Sequence, residues 1–343
     1  MSFKNIAGIG CLILFLLISR NSRAQYNFEN VDRVLDASQK NLGRNMCVLV
    51  SKNDKIVYSF LRGDYNESTP ELIASCSKWF TSALVMTFAD EGKLSVDDPI
   101  SKYLPDFATA DKKNILIRHC LSHTTGIESE PFTLASLRDH RKYKTLGEEV
   151  RGFASKPMAG KPGEVFAYST VGLNIAGHIL EVISGRDFET LFQERIARPL
   201  GMTNTSFVSK NAINPSGGAT STALEYLKFL EMILHQGNYK GRQILSEHSV
   251  AAMQESQTAN ARVLYTPEQA NGLDYGFGEW IHRKDPQERG IVVSSPGLFG
   301  TFPYIDKSGN YAAIIFVKNL KRKGRKETYG AILSAIEKAF QKS

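Results

Sequence analysis

Cysteine is scarce, with four residues in 343, and only Cys47, Cys76 and Cys120 lie beyond the N-terminal stretch. An odd number of thiols in apolar settings implies no disulfide framework, and the three read as small buried hydrophobes. Also absent are a Gly-x-Ser-x-Gly elbow, a His-Glu-x-x-His helix, a Gly-rich phosphate loop and a dinucleotide fingerprint, so no cofactor is implied. His119 and His123 stand four apart, but a third ligand is missing, so no metal is implied and both read as core or turn histidines. No repeat or low-complexity tract occurs.

Long apolar runs are lacking too. The longest, Cys11–Ile18, is too short to cross a bilayer. With Lys4 before it and the small-x-small triplet Ser22-Arg23-Ala24 after it, residues 1–24 read as a secretory signal peptide cleaved before Gln25. The protein is therefore expected to be exported, periplasmic or secreted, with no stable membrane insertion after cleavage; an uncleaved anchor is the alternative. Lys4, Arg20 and Arg23 leave with the peptide and no acid does, so a formal charge of +7 becomes +4. Lys318, Lys321, Arg322, Lys323, Arg325 and Lys326 carry much of that excess. A run between an apolar strand and a final helix reads as a solvated turn, and without interleaved aromatics it gives no sign of nucleic-acid binding.

An amphipathic helix is expected over 28–44. Strands at Met46–Ser51 and Lys55–Leu61, turned at Asn53-Asp54, form a hairpin. A helix starting near Ser75 runs to Gly92. Strand signals then nearly vanish until about residue 265, while helical periodicity marks 146–155, Thr170–Ser184, Phe188–Leu200 and a segment capped by Thr222 and Glu225. Strands return at Tyr275–Ile281, Gly290–Ser294, Thr301–Ile305 and Ala312–Val317, ahead of a helix over about Thr328–Phe340. The expected class is α/β (α+β): an antiparallel sheet flanked by helices, with an inserted all-helical lobe. Residues 25–343 form one domain, its α/β lobe from about 25–80 and 265–343, its helical lobe from about 81–264, and a cleft between them.

Ser75 and Lys78 are three residues apart at a helix start. One helical turn brings the lysine to the serine's face, and a neutral amine there can take the hydroxyl proton. Burial or nearby cations would lower the lysine pKa from its usual value of about 10.4. This is the chain's only Ser-x-x-Lys; a plain helix start with a solvated lysine is the alternative. Cys76 points about 100° away from its neighbour and cannot address the same site. Tyr168, on a turn before the 170–184 helix, is a second acid–base candidate if a cation such as Lys78 lowers its pKa; the alternative is a half-buried structural tyrosine.

Ile73–Phe80, Asp90–Pro105, Ile117–Gly126, Pro162–Ser169, Gly217–Thr222 and Ser295-Pro296-Gly297, in that order, resemble the serine β-lactamase and penicillin-binding superfamily, nearest its class C β-lactamase-like hydrolases and family VIII esterases. The resemblance spans nearly the whole chain after residue 24. It implies a Ser75 acyl-enzyme, Lys78 and Tyr168 sharing the general base and acid work in an unresolved division, and an oxyanion hole from the Ser75 N–H and the strand after the third motif, at Leu298.

Two motifs depart from the family pattern. Tyr-x-Asn is Tyr168-Ser169-Thr170 here, placing a hydroxyl at Thr170 where an amide helps hold substrate. Lys-Thr-Gly or His-x-Gly is Ser295-Pro296-Gly297, which removes a cation suited to a substrate carboxylate while keeping Gly297 for close approach of the substrate. The expected activity is hydrolysis of a small-molecule ester, amide or peptide, shifted away from β-lactams. A β-lactamase or D-Ala-D-Ala carboxypeptidase is one alternative; a non-catalytic binding or sensor protein retaining the fold is the other.

Overall fold

In the strand β1 (Met46–Lys52) every residue from Met46 to Ser51 is buried, so both of its faces are covered. Alternation assigns the side chains: Cys47 and Leu49 join a core shared with the helical region, whereas Met46, Val48 and Val50 join a second core on the opposite face. The computed structural model describes residues 26–130, 142–321 and 323–341. The expected signal peptide and Arg322 of the basic run lie outside the described residues.

β2 (Lys55–Arg62) returns through Asn53 and Asp54 at φ +53° and +60°, the left-handed pair that a tight hairpin requires. The other strands of this sheet are β3 (Asp274–Tyr275), β4 (Trp280–Lys284), β5 (Gly290–Ser294), β6 (Phe302–Asp306) and β7 (Tyr311–Val317). They complete one sheet in the order β2-β1-β7-β6-β5-β4-β3, with every neighbouring pair antiparallel. β7 joins the two ends of the chain, pairing Leu49 with Ile314 and Cys47 with Phe316. The expected strand Tyr275–Ile281 is instead a tight hairpin. Gly278 sits at φ +81°, and the Gly276 N–H donates to Glu279 O at 2.9 Å.

Helix α1 (Glu29–Ala37) and the C-terminal α6 (Arg325–Gln341) cover one face, burying Val31, Leu35, Tyr329, Ile332 and Ile336 on it. The other face receives the helical region: α2 (Ser77–Asp90), α3 (Leu146–Ala154), α4 (Val171–Ser184) and α5 (Ala223–Leu234). Every residue of α2 from Ser77 to Phe88 is buried; a helix packed on all sides is a core element. Its Phe80 ring lies 4.6 Å from Tyr226 and 4.7 Å from Phe229 of α5. At the start of α5 only half of the expected capping box forms. Thr222 accepts the Glu225 N–H, while the Glu225 carboxylate accepts from Asn204 and Thr205.

Candidate active site

Ser75 sits in a tight 3₁₀ turn, Ala74–Cys76, that feeds directly into α2. Ala74 adopts φ +47°, a left-handed conformation that strains a residue bearing a Cβ. The turn is held from both sides. The Ser77 hydroxyl donates to Ala74 O and accepts the Ala219 N–H, and the Ile73 N–H donates to Ala219 O. Among the described residues no acceptor takes the Ser75 amide N–H.

One turn on, the Lys78 Nζ lies 3.2 Å from Ser75 Oγ and 2.8 Å from Ser216 O. Lys78 is fully buried, and that burial lowers its pKa from 10.5 to about 7, with the Cys76 thiol opposing. The expectation that Lys78 could depress the Tyr168 phenol is corrected by the geometry. Burial raises that phenol well above its usual range and outweighs a hydrogen bond with Ser75. The amine stands 4.9 Å from the centre of the Tyr168 ring. The amine thus titrates near neutrality, and the phenol stays protonated.

Tyr168 follows a three-residue strand, Val165–Ala167, paired in parallel with Arg262–Tyr265, and its N–H donates to Tyr265 O. His123, at φ +59°, packs its ring 4.5 Å from Tyr168 and gives its carbonyl to the Ala167 N–H. Burial, then Lys78, holds this imidazole well below its usual range. His119 lies elsewhere, its Nδ1 accepting the Leu116 N–H at the start of a short helix. Among the described residues no group of three or more His, Cys, Asp or Glu is placed to hold a metal ion. Thr170 is the residue preceding α4, half-buried and outside the cavity lining.

Ser295, Gly297 and Leu298 lie in the turn joining β5 to β6 rather than within a strand. The Ser295 hydroxyl donates to Gly278 O at 2.8 Å, so this side chain braces the neighbouring hairpin. A Cβ on Gly297 would come within 2.3 Å of Ile73 O, which makes glycine the condition for seating this turn against the serine's own turn. Leu298 lines the cavity. Its carbonyl accepts from Arg325 at 2.9 Å, and no acceptor among the described residues takes its N–H. The Cys76 thiol faces Thr301 O at 3.5 Å and is pushed up by burial, turned from the serine as its helical offset requires.

A cavity of about 280 Å³ joins Ser75, Tyr168 and Leu298. Trp280, Tyr265, Leu273, Phe302, Tyr329 and Leu333 make its wall mostly apolar. Arg325 and Lys326 also line it, and no Asp or Glu among the described residues does. The segment after the Arg262–Tyr265 strand and the end of that strand supply Tyr265, Pro267, Gln269 and Ala270. Motif reading missed His282, whose Nε2 lies 2.7 Å from Ser294 Oγ at the cavity wall, and the Ser216 carbonyl on Lys78. It also missed Asn174, fully buried on α4. Its signal was present: Asn174 falls on the same face as Val171 and Ile175, a polar residue in an apolar stripe.

Comparisons to known proteins bear on the family and the fold. A profile of the Beta-lactamase family matches residues 31–337. A candidate beta-lactamase from Bacteroides dorei is 30% identical and superposes with a TM-score of 0.82, covering 92% of this chain and 99% of that one. A family VIII carboxylesterase shares the fold at 17% identity and a TM-score of 0.71, over 91% of this chain and 97% of that one. The D-alanyl-D-alanine-carboxypeptidase/endopeptidase AmpH of Escherichia coli is 24% identical over 271 residues, which covers 72% of this chain and 68% of that protein. With its paired serine and lysine inside the matched span, the chain belongs to the beta-lactamase family and is a serine hydrolase.

Proposed function

We propose that this hydrolase cleaves esters or simple amides with an apolar acyl group through a Ser75 acyl-enzyme, with Lys78 as general base and Tyr168 as general acid. The observation that carries the reading is the Lys78 amine, 3.2 Å from Ser75 Oγ and brought by burial to a pKa of about 7. A base titrating near the working pH is both free to accept a proton and strong enough to do so.

In the first half-reaction the Ser75 oxygen bonds the substrate carbonyl carbon while its proton passes to Lys78. Charge develops on the carbonyl oxygen, where the Ser75 and Leu298 N–H groups stabilise it. Collapse breaks the bond to the leaving group, which takes the Tyr168 hydroxyl proton, and the phenolate recovers one from the Lys78 ammonium. Water then attacks the acyl carbon and passes its proton to Lys78; the bond from the acyl carbon to the Ser75 oxygen breaks, that oxygen takes the proton back from Lys78, and the acid leaves. The apolar wall at Trp280, Leu273 and Phe302 suits an aliphatic or aromatic acyl group. Export follows from the reading of residues 1–24 as a signal peptide.

The test is a substrate panel on the chain beginning at Gln25: p-nitrophenyl esters of rising acyl length, simple anilides, nitrocefin and a D-Ala-D-Ala peptide. Repeated turnover of esters, lost in Ser75→Ala, supports the proposal. A single adduct that never hydrolyses would make the protein a binder or sensor instead. A second reading, peptide carboxypeptidase or β-lactamase, is favoured by the Escherichia coli relative and by Lys326 and Arg325 beside a cavity that no Asp or Glu among the described residues lines. Faster turnover of nitrocefin or of the peptide than of any ester would establish it. Secretion of a full-length reporter fusion with cleavage before Gln25 tests export, and retention of an uncleaved product in the cell refutes it.

A further inference from the structure

A neutral lysine serves as a base only if its lone pair faces the serine, so its N–H groups must be engaged elsewhere. One of them meets Ser216 O at 2.8 Å. The Tyr168 ring stands 4.9 Å from the amine, and the His123 imidazole and the Cys76 thiol act on it electrostatically. The Ser216 carbonyl, a strong acceptor at hydrogen-bond distance, therefore bears directly on where the amine points.

Ser216 belongs to an irregular turn with no strand or helix to hold it. Its N–H donates to Asn174 Oδ1 at 2.9 Å and to Asn214 Oδ1 at 3.2 Å, and its hydroxyl donates to Asn214 Oδ1 at 2.7 Å. The Gly217 and Gly218 N–H groups close the turn on Asn214 O. Asn214 therefore braces the turn from within. Asn174 ties it to a helix, and the Asn174 amide is itself fixed by donating to Glu149 Oε2 of α3 at 2.8 Å. Asn174 and Ser216 are fully buried and Glu149 is 4% exposed. Burying a chain of polar groups this deeply costs stability unless each member is satisfied, and this chain ends on the Lys78 amine.

We infer that Asn174 is a positioning residue: held by Glu149, it fixes the Ser216 turn whose carbonyl aims the Lys78 amine at Ser75. The role rests on the proposed reading of Lys78 as base. Asn174 touches neither substrate nor reacting atoms. Removing its amide frees the turn, lets the amine rotate and admits water beside it. The amine then becomes easier to protonate and worse aimed.

The experiment measures kcat, KM and the pH profile of p-nitrophenyl ester hydrolysis for the chain beginning at Gln25 and for Asn174→Ala, Glu149→Leu, Glu149→Gln and Ser75→Ala. Asn174→Ala is expected to lose about 10- to 100-fold in kcat, the scale of a small misplacement, with KM within about twofold and the acid limb of the profile moved to higher pH. Glu149→Leu should do the same. Glu149→Gln keeps an acceptor for the Asn174 amide and should retain wild-type rate and profile. A folded Asn174→Ala with unchanged kcat, or with lower kcat and an unmoved acid limb, overturns the inference. If that variant does not fold, an unmoved acid limb in Glu149→Leu overturns it. Activity remaining in Ser75→Ala would instead overturn the proposed mechanism, so the two failures are distinguishable.

Discussion

Two parts of the candidate active site are built differently. The reactive side, Ser75 and Lys78 with Tyr168 across from them, comes from short local patterns: a 3₁₀ turn running into a buried helix, and a three-residue strand ending ahead of α4. The opposite wall has no local pattern. Trp280 comes from β4, Leu298 from the β5–β6 turn, Tyr265 from the end of the Arg262–Tyr265 strand, and Tyr329 and Lys326 from the C-terminal helix. Chemistry at a nucleophile needs fixed distances, which residues one helical turn apart supply at little entropic cost. Selecting an acyl group needs a shaped apolar surface, which distant elements assemble only after the chain has packed.

The comparison predicts a gradient of effects. Replacing Lys78 by Met should cut kcat by about 10²–10⁴-fold, the usual worth of a general base. The same change should stabilise the fold, since it removes an amine that must be buried. The sign follows from linkage: with a folded pKa of about 7 against 10.5 for a lysine in the unfolded chain, the unfolded chain holds the extra proton between those values. Unfolding free energy should therefore rise with pH from about 7 to about 10.5 in the wild type. Denaturant titrations of Lys78→Met should lose that slope and show the largest gain at or below pH 7; an equal slope in both proteins would show that the lysine is not desolvated.

Gly297→Ala tests the seam between the two parts. The added methyl meets Ile73 O, so the β5–β6 turn must shift off the serine turn. A stability loss of about 1–3 kcal/mol is expected, together with a fall in kcat larger than any change in KM, because the Leu298 N–H moves with its turn. Wild-type kcat in this variant would separate Leu298 from oxyanion stabilisation.

The smallest effect belongs to the apolar wall. Leu273→Ala should raise KM about 3- to 10-fold for a long-chain p-nitrophenyl ester and leave the acetate ester nearly unchanged, with kcat preserved in both. A uniform loss across chain lengths would place Leu273 outside acyl recognition.

The reactive side was legible because its information is periodic or spelled in order. The three-residue offset of Ser75 and Lys78 and the turn before α4 both hold in the fold. β5 begins and ends where alternation and turn residues put it. The strand expected over Tyr275–Ile281 failed for a local reason, as two glycines in four residues let an apolar run fold back on itself. The Thr222–Glu225 box formed only halfway, because tertiary donors at Asn204 and Thr205 outbid the helix's own N–H. Gly297 is needed against the protein's own backbone at Ile73, a contact between residues more than two hundred apart that no linear pattern encodes. The direction of the Tyr168 shift also needed the fold, since only packing shows that burial exceeds the influence of the nearby amine.

The central claim, that Ser75 is the nucleophile and Lys78 its base, is tested most directly by labelling with a fluorophosphonate and mapping the adduct by mass spectrometry across pH. The account predicts one adduct, on the peptide containing Ser75, absent in Ser75→Ala, with a labelling rate that rises through a group titrating near pH 7 and loses that dependence in Lys78→Met. An adduct on another serine, such as Ser294 beside His282, or labelling that persists in Ser75→Ala, would contradict it.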